Sequence, residues 1–159
     1  MKHIVLVLAI VFMSLTSWAY PRIQNPVEDY ADVLTTAQEN EISNRIQRVL
    51  PRAQVAVITV LNTNGEPIED FSHAVAEQWR GGSAELNNGV LVVLSVGTHK
   101  SRIEVGSGLE SALTDTESRT ILESARPSLR NSDYRSAILG IVDGINTEVG
   151  GSGNAPSAP

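Results

Sequence analysis

The chain has 159 residues, with 12 basic and 18 acidic side chains, no cysteine and a formal net charge of −6 at pH 7. This acidic balance, with the few Lys and Arg residues scattered, argues against nucleic acid and against anionic membrane surfaces as partners. The lack of cysteine excludes disulfides, thiol catalysis and zinc–thiolate sites, so a hydrophobic core must stabilise the protein.

The first residues have the pattern of a secretory signal peptide, residues 1–19. Lys2 gives a positive start, residues 4–13 are an unbroken apolar run, and Ala19 ends a stretch of small residues suited to cleavage. A membrane-spanning helix is the alternative, but it needs about 20 apolar residues, and serines and a threonine interrupt this run too early. We therefore expect export to the periplasm or secretion, and a mature chain of 140 residues without a membrane span. In that mature chain 11 basic residues stand against 18 acids, a net charge of −7.

The first half of the mature chain predicts an extended lead-in, a helix, a strand and a second helix. Residues 20–26 contain two prolines and no periodicity. Thr35 and Gln38 form a capping box that opens a helix, and Pro51 ends it. Its apolar stripe consists of Leu34, Ile42, Ile46, Val49 and Leu50. Residues 54–61 are apolar and β-branched, as in a central strand covered on both faces, and residues 68–79 return to helical spacing, with His73 off the apolar side.

The second half predicts a β-hairpin and two more helices. Residues 90–96 form a buried strand, and residues 102–105 alternate apolar and polar side chains as its hairpin partner. Thr114 and Glu117 make a second capping box, whose helix is expected to run until Pro127. Residues 134–149 have the clearest amphipathic pattern, and the tail at 150–159 is expected to be disordered. The order predicts one α/β domain, residues 20–149, a sandwich with a small central β-sheet flanked by helices.

Nucleophilic and phosphate-cradling chemistry have little support in the sequence. His3 belongs to the signal peptide, His73 is predicted to be exposed and His99 lies in the hairpin connection, so none has an evident orienting partner. The Gly-Ser-Gly at 106–108 lacks the G-x-S-x-G spacing of a nucleophile elbow. No lysine follows these glycines, and acids stand close behind them, which disfavours a bound phosphate.

The stretch RIEVGSGLESALTD, residues 102–115, points instead towards a hard cation. Ca²⁺ takes six to eight oxygen ligands from carboxylates, amides and backbone carbonyls of flexible loops. The candidate ligands for Ca²⁺ or Mg²⁺ are Asp29, Asn87, Asn88, Glu110 and Asp115, with Gly89, Gly106 and Gly108 as loop backbone. Each also has a structural explanation, because an acid at a helix start favours the helix dipole, Asn-Gly suits a turn, and glycine serves a bend. The sequence leaves both interpretations open, since the loops meet only if their strands share a sheet edge.

The order of these segments resembles the TPM domain, a family of exported or lumenal domains that includes a photosystem-repair factor and a receptor auxiliary subunit. The resemblance covers about residues 26–149 and rests on ordered stretches: PVEDYADVLT (26–35), QVAVITV (54–60), IEDFSHAVAEQWRGG (68–82), NNGVLVVLS (87–95), RIEVGSGLESALTD (102–115) and RPSLRNSDY (126–134). It implies an α/β sandwich and, in some members, a divalent-cation site built from loop acids. The matching positions are Asp29, Asn88, Gly89, Gly106, Gly108, Glu110 and Asp115.

Two departures from the family pattern bear on function. The family usually has Asp-Asn-Gly-Val where this chain has Asn87, and the loss of that carboxylate should weaken Ca²⁺ binding. Many relatives also carry a transmembrane helix before a glycine-rich tail, whereas here only GGSGNAPSAP follows the domain.

Three functions follow from these observations. The leading one is a soluble, exported binding or accessory module in cell-envelope protein maintenance, whose partner would be an envelope protein. The alternative is a metal-dependent phosphatase acting on phosphate esters, which the resemblance implies from plant members, although no cationic clamp is evident beside the acids. The third is a purely structural domain without a metal, in which the glycines serve only the backbone.

Overall fold

The computed structural model describes residues 19–151, so residues 1–18 of the predicted signal peptide and residues 152–159 of the predicted tail lie outside the described part. Its elements in chain order are β1 (Val27–Asp29), α1 (Thr36–Gln47), β2 (Gln54–Val60), α2 (Ile68–Trp79), β3 (Gly89–Ser95), β4 (Lys100–Val105), α3 (Asp115–Arg130) and α4 (Tyr134–Gly151). Between residues 19 and 151, no helix has the length and apolarity that a membrane crossing requires.

The strands form one sheet in the order β1-β2-β3-β4. The first three are parallel, with Val27 opposite Val57 and Val57 opposite Val92, and β4 is antiparallel to β3, with Ile103 opposite Val92. All of β3 and all of β2 except Gln54 are buried, as their apolar sequences predict for strands covered on both faces.

Two hydrophobic clusters cover the two faces of the sheet. Helices α1, α3 and α4 pack on the face that carries Val57, Val92 and Ile103. Helix α2 packs on the other, where Phe71 and Val75 meet a set of strand residues: Ala56, Ile58, Val60, Leu91 and Val93. The alternation of side chains along β2 and β3 therefore divides the core between the two layers. The predicted α/β sandwich is confirmed.

Both predicted capping boxes are present. The Thr35 hydroxyl accepts from the Gln38 amide and opens α1, and the Thr114 hydroxyl accepts from the Glu117 amide and opens α3. In each box the side chain of the third helical residue bonds back to the amide of the threonine. These boxes fix where the two helices begin.

Three details differ from the sequence expectations. The short strand β1, Val27–Asp29, was not predicted, because three residues carry no readable periodicity. The expectation that α3 ends at Pro127 is wrong, since the helix continues to Arg130. Pro127 lies in the exposed last turn, where a carbonyl left without its amide partner is open to water. Leu50 was placed on the apolar stripe of α1, but the helix ends at Gln47 and Leu50 is 43% exposed.

Candidate functional site

Two loops meet at one end of the sheet through direct backbone contacts. The Gly106 amide donates to the Gly89 carbonyl (2.8 Å), and the Gly108 amide donates to the Asn87 carbonyl (3.1 Å). A Cβ atom on Gly108 would overlap the carbonyl oxygen of Leu86 and lie 2.9 Å from its carbonyl carbon. Glycine is therefore needed here because two backbones touch. We call the contact of Gly89, Gly106 and Gly108 with residues 86–88 the glycine junction.

The antiparallel hairpin explains why these loops meet. Strand β3 begins at Gly89, and β4 ends at Val105, opposite Val90. The loop before β3 and the loop after β4 consequently lie at the same end of the sheet. The residues that follow the junction, including Glu110 and Asp115, start from this fixed point.

Glu110 and Asp115 line one open cleft of about 360 Å³ on the outer side of β4. The same cleft is lined by Arg102, Glu104 and Thr114, and we call this set the acidic cleft. Neither the Glu110 nor the Asp115 side chain forms a hydrogen bond or an ion pair with another described residue. Asp115 is the first residue of α3, where a carboxylate also favours the helix dipole.

Glu104 is held more firmly than the other two acids of this cleft. Its Oε2 accepts from Arg102 Nε (3.2 Å) and from the Ser72 hydroxyl (3.2 Å) of α2. Its Oε1 lies 3.5 Å from Nδ1 of His73, whose side chain is 64% exposed as the sequence predicts. Glu104 therefore ties β4 to α2, and it leaves Glu110 and Asp115 as the acids without internal partners.

Asn88 is used inside the fold. The residue is 7% exposed, its Oδ1 accepts from the Ser83 amide (2.9 Å), and its Nδ2 donates to the carbonyls of Pro51 (3.3 Å) and Arg52 (3.2 Å). Its side-chain amide therefore fastens the loop before β3 to the turn before β2. Asn87 is exposed and has a φ of 45°, in the left-handed region that Asn tolerates, and its carbonyl is taken by Gly108.

Asp29 lies at the opposite end of the sheet. It pairs with Thr59, whereas Gly89 pairs with Gln54, and five residues of strand separate these levels by about 16 Å. The Asp29 carboxylate accepts from the Leu34 amide (2.7 Å) and from the Thr59 hydroxyl. The structure does not bring Asp29 together with the other predicted ligands, and its carboxylate fixes the turn between β1 and α1.

The acidic cleft offers oxygen ligands of the type that a hard cation prefers, but it offers few of them. Carboxylate oxygens and loop carbonyls are ligands that Ca²⁺ and Mg²⁺ prefer. Of the five predicted ligands, only Glu110 and Asp115 line the acidic cleft. Within residues 19–151, no group of three or more His, Cys, Asp or Glu side chains is placed to hold a metal ion. The described side chains thus do not form a complete cage, and a cation at this cleft would depend on backbone and water oxygens.

Arg102 and Glu104 were missed as site residues by sequence reasoning. Both belong to an alternating strand whose polar side was taken simply as a solvated face. The signal available was their spacing, because side chains two residues apart on a strand lie on the same side. Arg102 supplies a cation beside the acids where none was evident from the sequence.

Comparison with known proteins places the chain in a family. The TPM domain family matches residues 27–148. The chain belongs to the TPM domain family. No match was found among curated proteins.

Solved structures share the fold of this TPM domain. The N-terminal domain of a protein from P. gingivalis is 32% identical, with a TM-score of 0.72 over 80% of this chain and 83% of that one. The N-terminal domain of a Corynebacterium glutamicum protein is 17% identical, with a TM-score of 0.65 over 86% and 87% of the two chains. A protein from the psychrophilic bacterium Bizionia argentinensis is 16% identical, with a TM-score of 0.63 over 74% and 82%. At these last two identities the likeness concerns the fold alone.

Proposed function

We propose that this TPM domain is an exported binding or accessory module in the maintenance of cell-envelope proteins, with a weak Ca²⁺ or Mg²⁺ site at its acidic cleft. The observation that carries the proposal is the pairing of a rigid support with unused ligands. The glycine junction fixes both loops by backbone contacts. The side chains of Glu110 and Asp115, which follow it, have no hydrogen-bond or ion-pair partner among the described residues. Side chains held on a rigid support and not used by the fold are available to a ligand.

The accessory role is supported by the sequence and by the proteins in which similar domains occur. The first residues carry the signal-peptide pattern, which motivates export and a place in the periplasm or outside the cell. Two of the similar structures are N-terminal domains of their proteins. A domain that recurs as one part of a protein suits a module that binds a partner.

Thermal unfolding tests the cation site. The protein purified from expression of the full chain is unfolded first in excess chelator and then in millimolar Ca²⁺ or Mg²⁺. A cation that binds only the folded protein stabilises it by about 2.7 kcal/mol at a hundredfold excess over its dissociation constant. With two carboxylates we expect a dissociation constant on the order of 10⁻⁴–10⁻³ M, as in weak extracellular calcium modules. At 1 mM cation the expected stabilisation is therefore smaller, about 0.4–1.4 kcal/mol.

Matched variants localise the effect. Glu110→Gln and Asp115→Asn should each remove the calcium-dependent rise in Tm, whereas Glu85→Gln, in the exposed loop before β3, should leave it unchanged. Asn87→Asp restores the carboxylate of the family pattern beside the junction and should enlarge the rise. If neither cation raises Tm, or if Glu85→Gln removes the rise as fully as Glu110→Gln does, the cation site is not at this cleft.

Arg102 favours a second candidate, the metal-dependent phosphatase. It lines the cleft together with Glu110 and Asp115, and a guanidinium is suited to binding phosphoryl oxygens. The test is the hydrolysis of p-nitrophenyl phosphate in Mg²⁺. If the protein is a binding module, p-nitrophenyl phosphate should be hydrolysed no faster with the protein than in buffer alone. Enzyme-like turnover that is lost in both Asp115→Asn and Arg102→Gln would establish the phosphatase and overturn the accessory role.

A further inference from the structure

Strand β4 is an outer strand of the sheet, and one of its two sides is unpaired. In the sheet order it has β3 as its neighbour, and no other described element pairs with it. An unpaired strand presents a row of backbone donors and acceptors that an extended peptide can join.

The register shows which backbone groups of β4 face outward. Gly106 and Gly89 are opposite each other and are joined by a backbone hydrogen bond (2.8 Å). Bonded pairs alternate along an antiparallel ladder, so Glu104, Arg102 and Lys100 are the β4 residues bonded to β3. The amides and carbonyls of the intervening residues, Ser101, Ile103 and Val105, therefore point away from the sheet, and none has a hydrogen-bond partner among the described residues.

Two clefts adjoin β4, one beside residues 102–105 and one at the hairpin end of the sheet. The acidic cleft is lined by residues 102–105 of β4. A second cleft, of about 470 Å³, is lined by Lys100 and Ser101 together with Arg126, Leu129 and Arg130 of α3. Between them the two clefts account for every residue of β4, and α3 leads from one cleft to the other.

The second cleft is cationic in a protein that is acidic as a whole. Lys100, Arg126 and Arg130 line it, against one acid, Glu69. Arg126 pairs with Glu123 (2.7 Å), whereas the side chains of Lys100 and Arg130 have no hydrogen-bond or ion-pair partner within residues 19–151. Charges on a strand edge commonly protect it from aggregation. That role accounts for Lys100 but not for the two arginines that α3 brings to the same place.

We propose that β4 accepts an extended peptide of a partner protein as a fifth strand, with acidic side chains at the Ser101 end of the strand, where Arg126 and Arg130 of α3 lie. The inference rests on the proposed role as a binding module, and it adds the surface and the chemistry of the ligand. Backbone hydrogen bonds to Ser101, Ile103 and Val105 supply the affinity, and the cations select acidic side chains. A second copy of this chain is a poorer occupant, because it brings the same cations to the same edge and the same net negative charge.

The test uses the peptide acetyl-Val-Thr-Val-Thr-Val-Glu-Val-Glu-amide, whose acidic end lies at the Ser101 end of β4 when it pairs antiparallel, and protein purified from expression of the full chain, in chelator. Amide hydrogen exchange is followed by NMR. On binding, the amides of Ser101, Ile103 and Val105 should exchange more slowly, on the order of tenfold at a peptide concentration ten times Kd. The amides of Arg102 and Glu104 are already bonded to β3 and should change little.

Control peptides and variants separate strand pairing from charge attraction. A peptide of the same sequence, N-methylated at the amides that would donate hydrogen bonds to β4, should lose binding. A peptide with Lys in place of Glu should bind at least tenfold more weakly. Arg126→Gln/Arg130→Gln should weaken binding about fivefold, since exposed ion pairs contribute modestly. The matched double variant Arg22→Gln/Arg48→Gln, which removes two exposed arginines outside α3 and β4, should not.

The outcomes each decide the question. Absence of binding, equal binding of the N-methylated peptide, or equal binding of the Lys peptide would overturn the inference. So would a concentration-dependent dimer that protects Ser101, Ile103 and Val105 without peptide, because a second copy would then occupy the edge. The calcium response and the phosphatase assay are measured separately. A failure of the peptide test with an intact calcium response refutes the β4 surface alone, whereas phosphate-ester turnover refutes the accessory role.

Discussion

Replacement of Gly108 by alanine is the sharpest test of the glycine junction. The added Cβ would overlap the carbonyl oxygen of Leu86 and lie 3.2 Å from the carbonyl oxygen of Asn87. Both obstacles are backbone atoms, which cannot rotate away as a flexible side chain can. The loop must therefore move, and the hydrogen bond from the Gly108 amide to the Asn87 carbonyl (3.1 Å) is expected to break.

The cost of this substitution has two parts. Forcing an additional methyl group into a closely packed site costs about 1–3 kcal/mol. Loss of a backbone hydrogen bond adds about 0.5–1.5 kcal/mol. Gly108→Ala should therefore lower the free energy of unfolding by about 2–4 kcal/mol, which is less than the roughly 5–15 kcal/mol of a typical domain, so the variant should still fold.

Urea unfolding measures this loss, and Gly140→Ala is its matched control. Gly140 lies in α4, and a Cβ placed there has no neighbour within 4 Å. The same substitution in a helix should raise stability by about 0.5–1 kcal/mol, because alanine has less backbone entropy to lose. If Gly108→Ala unfolds within about 0.5 kcal/mol of wild type, or if both variants lose stability alike, backbone contact is not why glycine stands at 108.

Gly108→Ala also separates a structural role from a role in cation binding. If the glycine serves the fold alone, the loss of stability should be the same in chelator and in calcium. If it serves the cation site, a variant that remains folded should lose the calcium-dependent rise in Tm. The two unfolding curves, recorded on the same variant, distinguish these roles.

Three further predictions concern single contacts. Thr114→Ala removes a capping hydroxyl and should cost about 1 kcal/mol in urea unfolding, whereas Thr116→Ala, in the exposed first turn of the same helix, should cost less than half of that. Bonds from Arg135 lower the pKa of the Glu41 carboxyl below its usual 4.5, so this pair stabilises the protein above that pH and the contribution is lost as pH falls through the lowered pKa. The Tm difference between wild type and Glu41→Gln should accordingly shrink on acidification, and a constant difference would contradict the pairing. Asn88→Asp replaces an amide that donates to two carbonyls by a carboxylate that repels them, and it should lower the midpoint of urea unfolding by more than Asn88→Ala does.

The sequence was sufficient for the helices and the central strands. Capping boxes at Thr35 and Thr114 located two helix starts, and the apolar runs of β2 and β3 predicted their burial on both faces. β1 escaped prediction because three residues have no period and depend on a partner strand thirty residues away along the chain, at Thr59. The end of α3 was predicted wrongly at Pro127, because a helix tolerates proline where the carbonyl that loses its amide partner is solvated.

The structure places some of the predicted ligands in the acidic cleft and others elsewhere, and the sequence could not predict this separation. The sequence left open whether the loops meet, and in the structure the β3–β4 hairpin places the loop before β3 and the loop after β4 at one end of the sheet, where Glu110 and Asp115 line one cleft. Whether Asp29 joined them depended on the direction of β1, which periodicity does not report. The sequence also could not show which polar side chains are used inside the fold. Asn88 was predicted to be a ligand, but the structure shows its side chain bonded to three backbone partners.

The hairpin also has a consequence for the order in which the protein assembles. The Gly106–Gly89 bond closes a short stretch of chain, whereas β1 reaches β2 only after α1 has been placed between them. Contacts between residues near in sequence form with a smaller loss of chain entropy and therefore earlier. The end of the sheet with the glycine junction should accordingly be structured in the folding transition state, and the end fixed by Asp29 should follow it. The loops that present the cleft are thus made by the part of the fold that depends least on distant segments of the chain.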